Sequence, residues 1–334
     1  MVANGSLDAE IIRVESEHSA ISACVGASAM GVRTYSATAS QGLALMHEIL
    51  FIASGMRLPI VMGVANRSLS APINIWNDQQ DSFSQRDSGW IQLYVENAQE
   101  AFDTQIQSFK IAEEARLPVM VCLDGYVVSH TYEPVETLSQ ETVDKFLPAY
   151  KPKASLNPAK PITMGPLATP EHFMSFKQQQ QEGIEKALDI IKRVNREYAS
   201  ASGRSYGNGL IELVGMEGKE HALLTIGSVA GTARELLESE GIGMIRIKSL
   251  RPFPSEDIAK ACQGLQSVGI LEKDVSIGNT GALYAEVRSA LYDKEQQPKV
   301  SGFIAGLGGK DITLDDIKNV SEKIKSEAGT VEWL

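Results

Sequence analysis

A β-branched run that ends in a carboxylate pair and turns straight into a small-residue helix constrains this chain most: I-I-R-V-E-S-E-H-S-A, residues 11–20. The plan recurs at once, with V-R-T-Y-S-A-T followed by Q-G-L-A-L-M-H-E-I-L-F-I-A-S. L-P-I-V-M-G-V-A is apolar throughout, as expected of a strand buried on both faces. I-Q-L-Y-V-E, the amphipathic A-Q-E-A-F-D-T-Q-I-Q-S-F-K-I-A-E-E-A and L-P-V-M-V-C-L-D complete the alternation. Strands joined through helices pair in parallel, so residues 1–128 are predicted to form a doubly wound α/β domain. Its strand-to-helix corners lie at the carboxyl edge of the sheet, where ligands bind.

Residues 129–206 read as a proline-punctuated linker followed by the helix E-G-I-E-K-A-L-D-I-I-K-R-V-N-R-E-Y. Residues 207–334 read as a second α/β unit. In it H-A-L-L-T-I-G-S-V-A and I-G-M-I-R-I-K-S-L are strands, T-A-R-E-L-L-E-S-E-G is a helix, and R-P-F-P is a stop. Ser255 is expected to cap the helix that follows, and Thr313 the last one.

The net charge of −11, with no basic stripe, argues against nucleic acid. Apolar runs are broken by charge, as His47 and Glu48 break G-L-A-L-M-H-E-I-L-F-I-A-S-G, so neither a membrane span nor a signal peptide is expected. Cys24, Cys122 and Cys262 lie far apart and give no zinc or cluster-binding spacing. They read as reduced thiols of a cytoplasmic protein, and any iron–sulfur centre would belong to another chain.

Glu17 is placed in the first turn of a helix at the rim of the cleft. It is either a ligand-facing carboxylate or a solvated acid that the helix dipole favours. Glu15, two residues earlier, shares its face for as long as the strand persists. Arg67 ends the buried strand V-M-G-V-A-N-R. It either grips a small carboxylate or pairs with the polar loop that follows, which carries Trp76 and Trp90. The five histidines are isolated and read as structural. G-L-G-G-K at 306–310 lacks the spacing of a phosphate loop.

Four blocks in order carry a resemblance that spans nearly the whole chain: V-E-S-E-H-S-A; T-Y-S-A-T-A-S-Q-G-L-A-L-M-H-E; N-R-S-L-S-A-P-I-N-I-W-N-D-Q-Q-D-S-F-S-Q-R-D-S-G-W; and S-H-T-Y-E-P-V. They resemble the alpha subunits of pyruvate:ferredoxin oxidoreductases, the multi-subunit form of the 2-oxoacid:ferredoxin oxidoreductase family. The second unit, with I-K-S-L-R-P-F-P, resembles that family's transketolase C-terminal type domain. The resemblance implies thiamine diphosphate held between two subunits. One subunit binds the diphosphate and Mg²⁺, and the other contacts the aminopyrimidine ring. No G-D-G with a later N-N occurs here, so this chain resembles the pyrimidine half. Glu17 matches the glutamate that meets the pyrimidine nitrogen, and Arg67 the arginine that meets the substrate carboxylate.

The implied reaction is oxidation of pyruvate to acetyl-CoA and CO₂ with reduction of ferredoxin. It would run in a complex with beta, gamma and delta type subunits that carry the iron–sulfur clusters. Two other readings stay open: the pyrimidine-binding subunit of another 2-oxoacid decarboxylating enzyme, and a non-catalytic assembly subunit. One departure stands out, because the family's early strand ending in Y-P-I-T-P has no counterpart here. K-P-I-T-M at 160–164 lies in the linker, so that role is not carried to Thr163. A sheet lacking an interior strand leaves an open edge, so roughly 40 further residues ahead of Val2, or a neighbouring chain, are expected to fill it.

Overall fold

The computed structural model describes residues 1–295, 297–326 and 329–334. In the first half, α1 (Glu17–Ala29), β1 (Thr34–Thr38), α2 (Ser40–Leu45), α3 (His47–Gly55) and β2 (Ile60–Asn66) follow one another. Then come α4 (Gln80–Phe83), β3 (Ile91–Tyr94), α5 (Ala98–Ala115) and β4 (Val119–Asp124). Strand alternation sorts β2 onto two covered faces. Ile60, Met62 and Val64 join one core with Ile21, Leu43 and Leu50, while Val61 joins another with Ile111, Ala112 and Val194. The short α6 (Gln140–Phe146) and the long α7 (Pro170–Ser202) close the second of these cores.

The second half comprises β5 (Ile211–Val214), β6 (His221–Ile226), α8 (Val229–Arg234), α9 (Leu237–Glu240), β7 (Gly243–Ile247), β8 (Ser249–Arg251) and α10 (Ser255–Ala261). β9 (Ser267–Glu272), α11 (Ala282–Leu291), β10 (Lys299–Ile304), α12 (Leu314–Ser326) and β11 (Val331–Trp333) end it. Its sheet runs β11-β10-β9-β6-β7-β5, and among the described residues only the β5–β7 pair is antiparallel.

The strand β8 leaves that sheet and pairs antiparallel with β3, which gives the first sheet the order β1-β2-β4-β3-β8. Ile245, Ile247 and Leu250 enter the same apolar core as Met62 and Leu43, so one core runs through both sheets. A buried ion cluster seals the seam. Arg246 (1% exposed) donates to both oxygens of Glu100 (0% exposed) at 2.7 and 3.0 Å, and the Lys248 ammonium donates to the same carboxylate.

Several sequence expectations need correction. I-I-R-V-E-S is not a strand: residues 8–14 make no sheet bonds, and Ile11 and Ile12 are about two-thirds exposed (69% and 67%). A β-branched run becomes a strand only where a partner meets its backbone, and the outer edge of β1 is unpaired among the described residues. Between that edge and the N-terminal segment runs a groove of about 930 Å³, bordered by Leu7, Ile11, Ile12, Val32 and Tyr35.

The apolar run 41–55 is two helices meeting at Met46, and T-A-R-E-L-L-E-S-E-G is likewise split in two. The linker helix starts earlier than expected, at Pro170, a favoured first helical residue behind Thr169. Ser255 is the first helical residue rather than the cap, because Pro254 precedes it and its side chain makes no capping bond. Thr313 does cap: its Oγ1 accepts from Asp316 N at 3.2 Å while Asp316 accepts from Thr313 N at 2.8 Å.

Candidate active site

The helix α1 starts where extended Ser16 (φ −152°) accepts a hydrogen bond from Ser19 N at 3.2 Å. That makes Glu17 the first helical residue, where the dipole favours a carboxylate. Glu15 is used differently. It accepts from the Ser19 hydroxyl, which holds its carboxyl below the usual range. Glu17 has neither an ion-pair nor a hydrogen-bond partner among the described residues. It lies against the backbone of α2 at Gly42, where an added Cβ would stand 2.9 Å from Glu17 Cγ and 3.0 Å from its Oε1. The same Cβ would stand 2.7 Å from Thr38 Oγ1. That hydroxyl closes β1 and is buried without a partner. Glycine at 42 is therefore what lets the Glu17 carboxyl and the Thr38 hydroxyl share one corner.

One buried carboxylate organises the next corner. Asp81 Oδ2 accepts from Ser40 N at 2.8 Å and from Arg67 N at 3.0 Å. Its Oδ1 accepts from Asn66 Nδ2 at 2.7 Å and from Ser82 N at 2.8 Å. Burial pushes this carboxyl up to about 6 against the pull of those donors. Ser40 has a left-handed backbone (φ 50°), held by Asp81 on its nitrogen and by Ser68 O on its hydroxyl. Strain of this kind, worth about 1–3 kcal/mol, persists where the surroundings over-determine it, and active sites are such places.

Arg67 follows β2 at the same sheet edge, since β1 and β2 pair in parallel with Thr38 opposite Val64. The expected alternative, a salt bridge to the polar loop, is not seen. Arg67 has no ion pair among the described residues, and its Nε is buried without an acceptor. Glu17 and Arg67 thus stand at one edge, and a single Asp81 oxygen pins both the β1–α2 corner against which Glu17 packs and the backbone of Arg67.

The loop between β2 and β3 is mostly exposed over residues 70–76, where Trp76 is 45% exposed, and mostly buried from Asn77 onward. Trp90 is fully enclosed and donates to Leu50 O at 2.9 Å. Gln79 donates to Asp124 at 2.9 Å, and Asp124 also takes Lys273 at 3.1 Å and Ser228 N at 2.9 Å. Lys273 in turn donates to Asn77 at 2.9 Å. The carboxyl ends of β4, β6 and β9 therefore meet around the loop. G-L-G-G-K belongs to this seam, with Gly308 N donating to Asp78 at 3.1 Å and Gly308 O accepting from Asn74 at 3.0 Å. Thr38, Ser40, Gly42 and Asp81 were not singled out from the sequence. All four lie inside the quoted blocks, but nothing in the local pattern marks Asp81 among its polar neighbours.

Residues 1–196 match the family model described as pyruvate flavodoxin/ferredoxin oxidoreductase, thiamine diP-binding, and residues 220–317 match pyruvate:ferredoxin oxidoreductase core domain II. The chain is 52% identical to Pyruvate synthase subunit PorA of Methanocaldococcus jannaschii, over 100% of this chain and 87% of that one. It is 42% identical to Ketoisovalerate oxidoreductase subunit VorA of Pyrococcus abyssi, over 99% of this chain and 87% of that one. In fold it is similar to the 2-oxoglutarate:ferredoxin oxidoreductase from Magnetococcus marinus (TM-score 0.68, 19% identity), covering 97% of this chain and 59% of that one. It is also similar to a split-gene transketolase (TM-score 0.53, 15% identity), covering 94% of this chain and 83% of that one.

The residues present fit the ring end of thiamine diphosphate. An aminopyrimidine needs a carboxyl at a ring nitrogen and polar partners along its edge. The free Glu17 carboxyl and the orphaned Thr38 hydroxyl supply both. Among the described residues no three His, Cys, Asp or Glu side chains group as metal ligands, and no helix is long and apolar enough to cross a membrane. The chain belongs to the pyruvate flavodoxin/ferredoxin oxidoreductase family and contains its thiamine diphosphate-binding domain.

Proposed function

We propose that this chain is the pyrimidine-side subunit of an enzyme that oxidises pyruvate to acetyl-CoA and CO₂ and reduces ferredoxin. The observation that carries the reading is the pair of unpartnered groups, the Glu17 carboxyl and the Arg67 guanidinium, at one sheet edge of a chain so similar to pyruvate synthase subunits. Thiamine diphosphate, when bound, supplies a nucleophilic carbon for the 2-oxoacid and takes up the electrons freed as CO₂ leaves. Glu17 holds or shares a proton at the pyrimidine nitrogen, which makes the ring's exocyclic nitrogen a better base. Gly42 sets how closely that carboxyl approaches. Arg67 grips the substrate carboxylate, oriented by the Asp81 bond to its backbone.

The diphosphate and Mg²⁺ are held by a partner subunit in this reading, and the iron–sulfur clusters lie on partner subunits as well. The three cysteines fit that division, since Cys122 and Cys262 are buried and burial pushes their thiols up. The complex would work in the cytoplasm. A branched 2-oxoacid is the second reading, favoured by the 42% identity to a ketoisovalerate oxidoreductase subunit.

Reconstitution tests the proposal. The folded chain alone is expected to hold no iron and to decarboxylate nothing. With its partner subunits it should support coenzyme A-dependent pyruvate oxidation. Preference for 2-oxoisovalerate would select the second reading, and no 2-oxoacid activity in the full assembly would overturn both.

A further inference from the structure

A second concave site lies at the opposite edge of the first sheet. Pro59, just ahead of β2, is in its wall, whereas Arg67 follows the other end of that strand, roughly 25 Å away at the rise of an extended chain. The cavity measures about 320 Å³, is open to solvent, and is bordered by the C-terminal ends of α3 and α5 and by the segment 150–164.

Its charge is uncompensated. Arg57, Arg116, Lys151 and Lys153 line it, and none of the four has an ion-pair partner among the described residues. The two acids in its wall are already engaged. Glu113 binds Arg33 with both oxygens, at 2.6 and 3.2 Å, and Glu114 is paired with Arg193. Arg57 donates only to backbone carbonyls, of Ala115 at 2.9 Å, Arg116 at 2.9 Å and Gln179 at 3.0 Å. Capping the end of α5 explains Arg57 in part. It leaves Arg116, Lys151 and Lys153 unexplained, on a chain whose net charge is −11. Burial depresses the Arg57 guanidinium, and the nearby Arg116 charge adds to the effect. An independent observation points the same way: Ser28 also lines the cavity, is 2% exposed, and its hydroxyl has no hydrogen-bond partner. A buried hydroxyl without a partner is costly, and a bound acceptor would offset that cost.

We infer that this cavity is a binding site for a small phosphate-bearing molecule, with Arg116, Lys151 and Lys153 supplying charge and Ser28 a buried donor. Guanidinium and ammonium groups around one hydroxyl suit a compact multivalent anion. A concave, solvent-open space of about 320 Å³ suits a small organic phosphate better than a macromolecular surface. The site is separate from the thiamine-facing edge, so a ligand here would act on the enzyme without taking part in the reaction.

The test uses the assembled holoenzyme, whose cofactor position is filled. Inorganic phosphate and ribose 5-phosphate are titrated by calorimetry at constant ionic strength. Saturable binding is expected, weakened about 10-fold or more by Arg116→Ala and by the Lys151→Ala/Lys153→Ala double variant, the usual scale for losing a charge-assisted contact. Ser28→Ala, the mildest change, should weaken it by less while leaving the thermal midpoint within a few degrees. Thermal midpoints of the charge variants show whether each has folded. The inference is overturned if neither phosphate binds, if folded variants bind as the wild type does, or if only an acidic partner segment occupies the cavity.

Discussion

Gly42→Ala separates the position of Glu17 from its chemistry. The new Cβ would meet Glu17 Cγ at 2.9 Å, so an ordinary contact of 3.4 Å or more requires Cγ to retreat by about 0.5 Å. The carboxyl, one bond further out, swings by more. Misplacing a catalytic group by about 1 Å can cost on the order of 10²-fold in rate, so a 10- to 100-fold loss is expected. Stability should barely change. Alanine gains about 0.5–1 kcal/mol over glycine inside a helix, and this offsets the crowding at Thr38 Oγ1, 2.7 Å from the added atom. Glu17 is exposed, so its displacement costs the fold little.

The assay is deuterium exchange of the thiazolium proton in the assembled enzyme, followed by NMR, beside thermal unfolding of the same sample. Adding Glu17→Gln should then cost far less than it does in the wild type, because both changes weaken one function. Wild-type exchange in a folded Gly42→Ala enzyme, or full additivity in the double variant, would refute the reasoning.

Arg67→Ala should raise the Michaelis constant for pyruvate about 10- to 150-fold, the equivalent of a charge-assisted pair worth about 1.5–3 kcal/mol; steady-state kinetics on the assembled enzyme checks this, and an unchanged constant would assign the carboxylate to other groups. Glu272 supplies a pH dependence, since burial pushes its carboxyl from 4.5 up to about 8. A group raised on folding gives stability that is full below its unfolded value and is lost as pH climbs through the folded one. Unfolding free energy should therefore fall between about pH 4.5 and 8 by up to about 1.4 kcal/mol per unit from this group. Glu272→Gln should remove that slope, as denaturant titrations across the range would reveal.

The alternation of strands and helices through Asp124 was legible because each element carries its own period and length. The positions of Glu17 at a helix start and of Arg67 after a buried strand were legible for the same reason, as each sits where a local pattern changes. Other features depended on partners distant in sequence. I-I-R-V-E-S has the residues of a strand but no neighbour to bond. The strand-like run from Gly243 through Arg251 conceals a change of sheet after Ile247, because β8 is defined by its pairing with β3 rather than by its own composition. Asp81 is one acid in a polar loop. Its importance lies in four donors brought to it from β2, from the loop itself and from the corner before α2.

Glu17→Gln in the assembled enzyme tests the central claim most directly. Glutamine keeps the shape and removes the titratable proton. Exchange of the thiazolium proton should slow by about 10²-fold or more, while cofactor affinity changes far less. Exchange at the wild-type rate with the cofactor bound would remove Glu17 from the reaction and contradict the account.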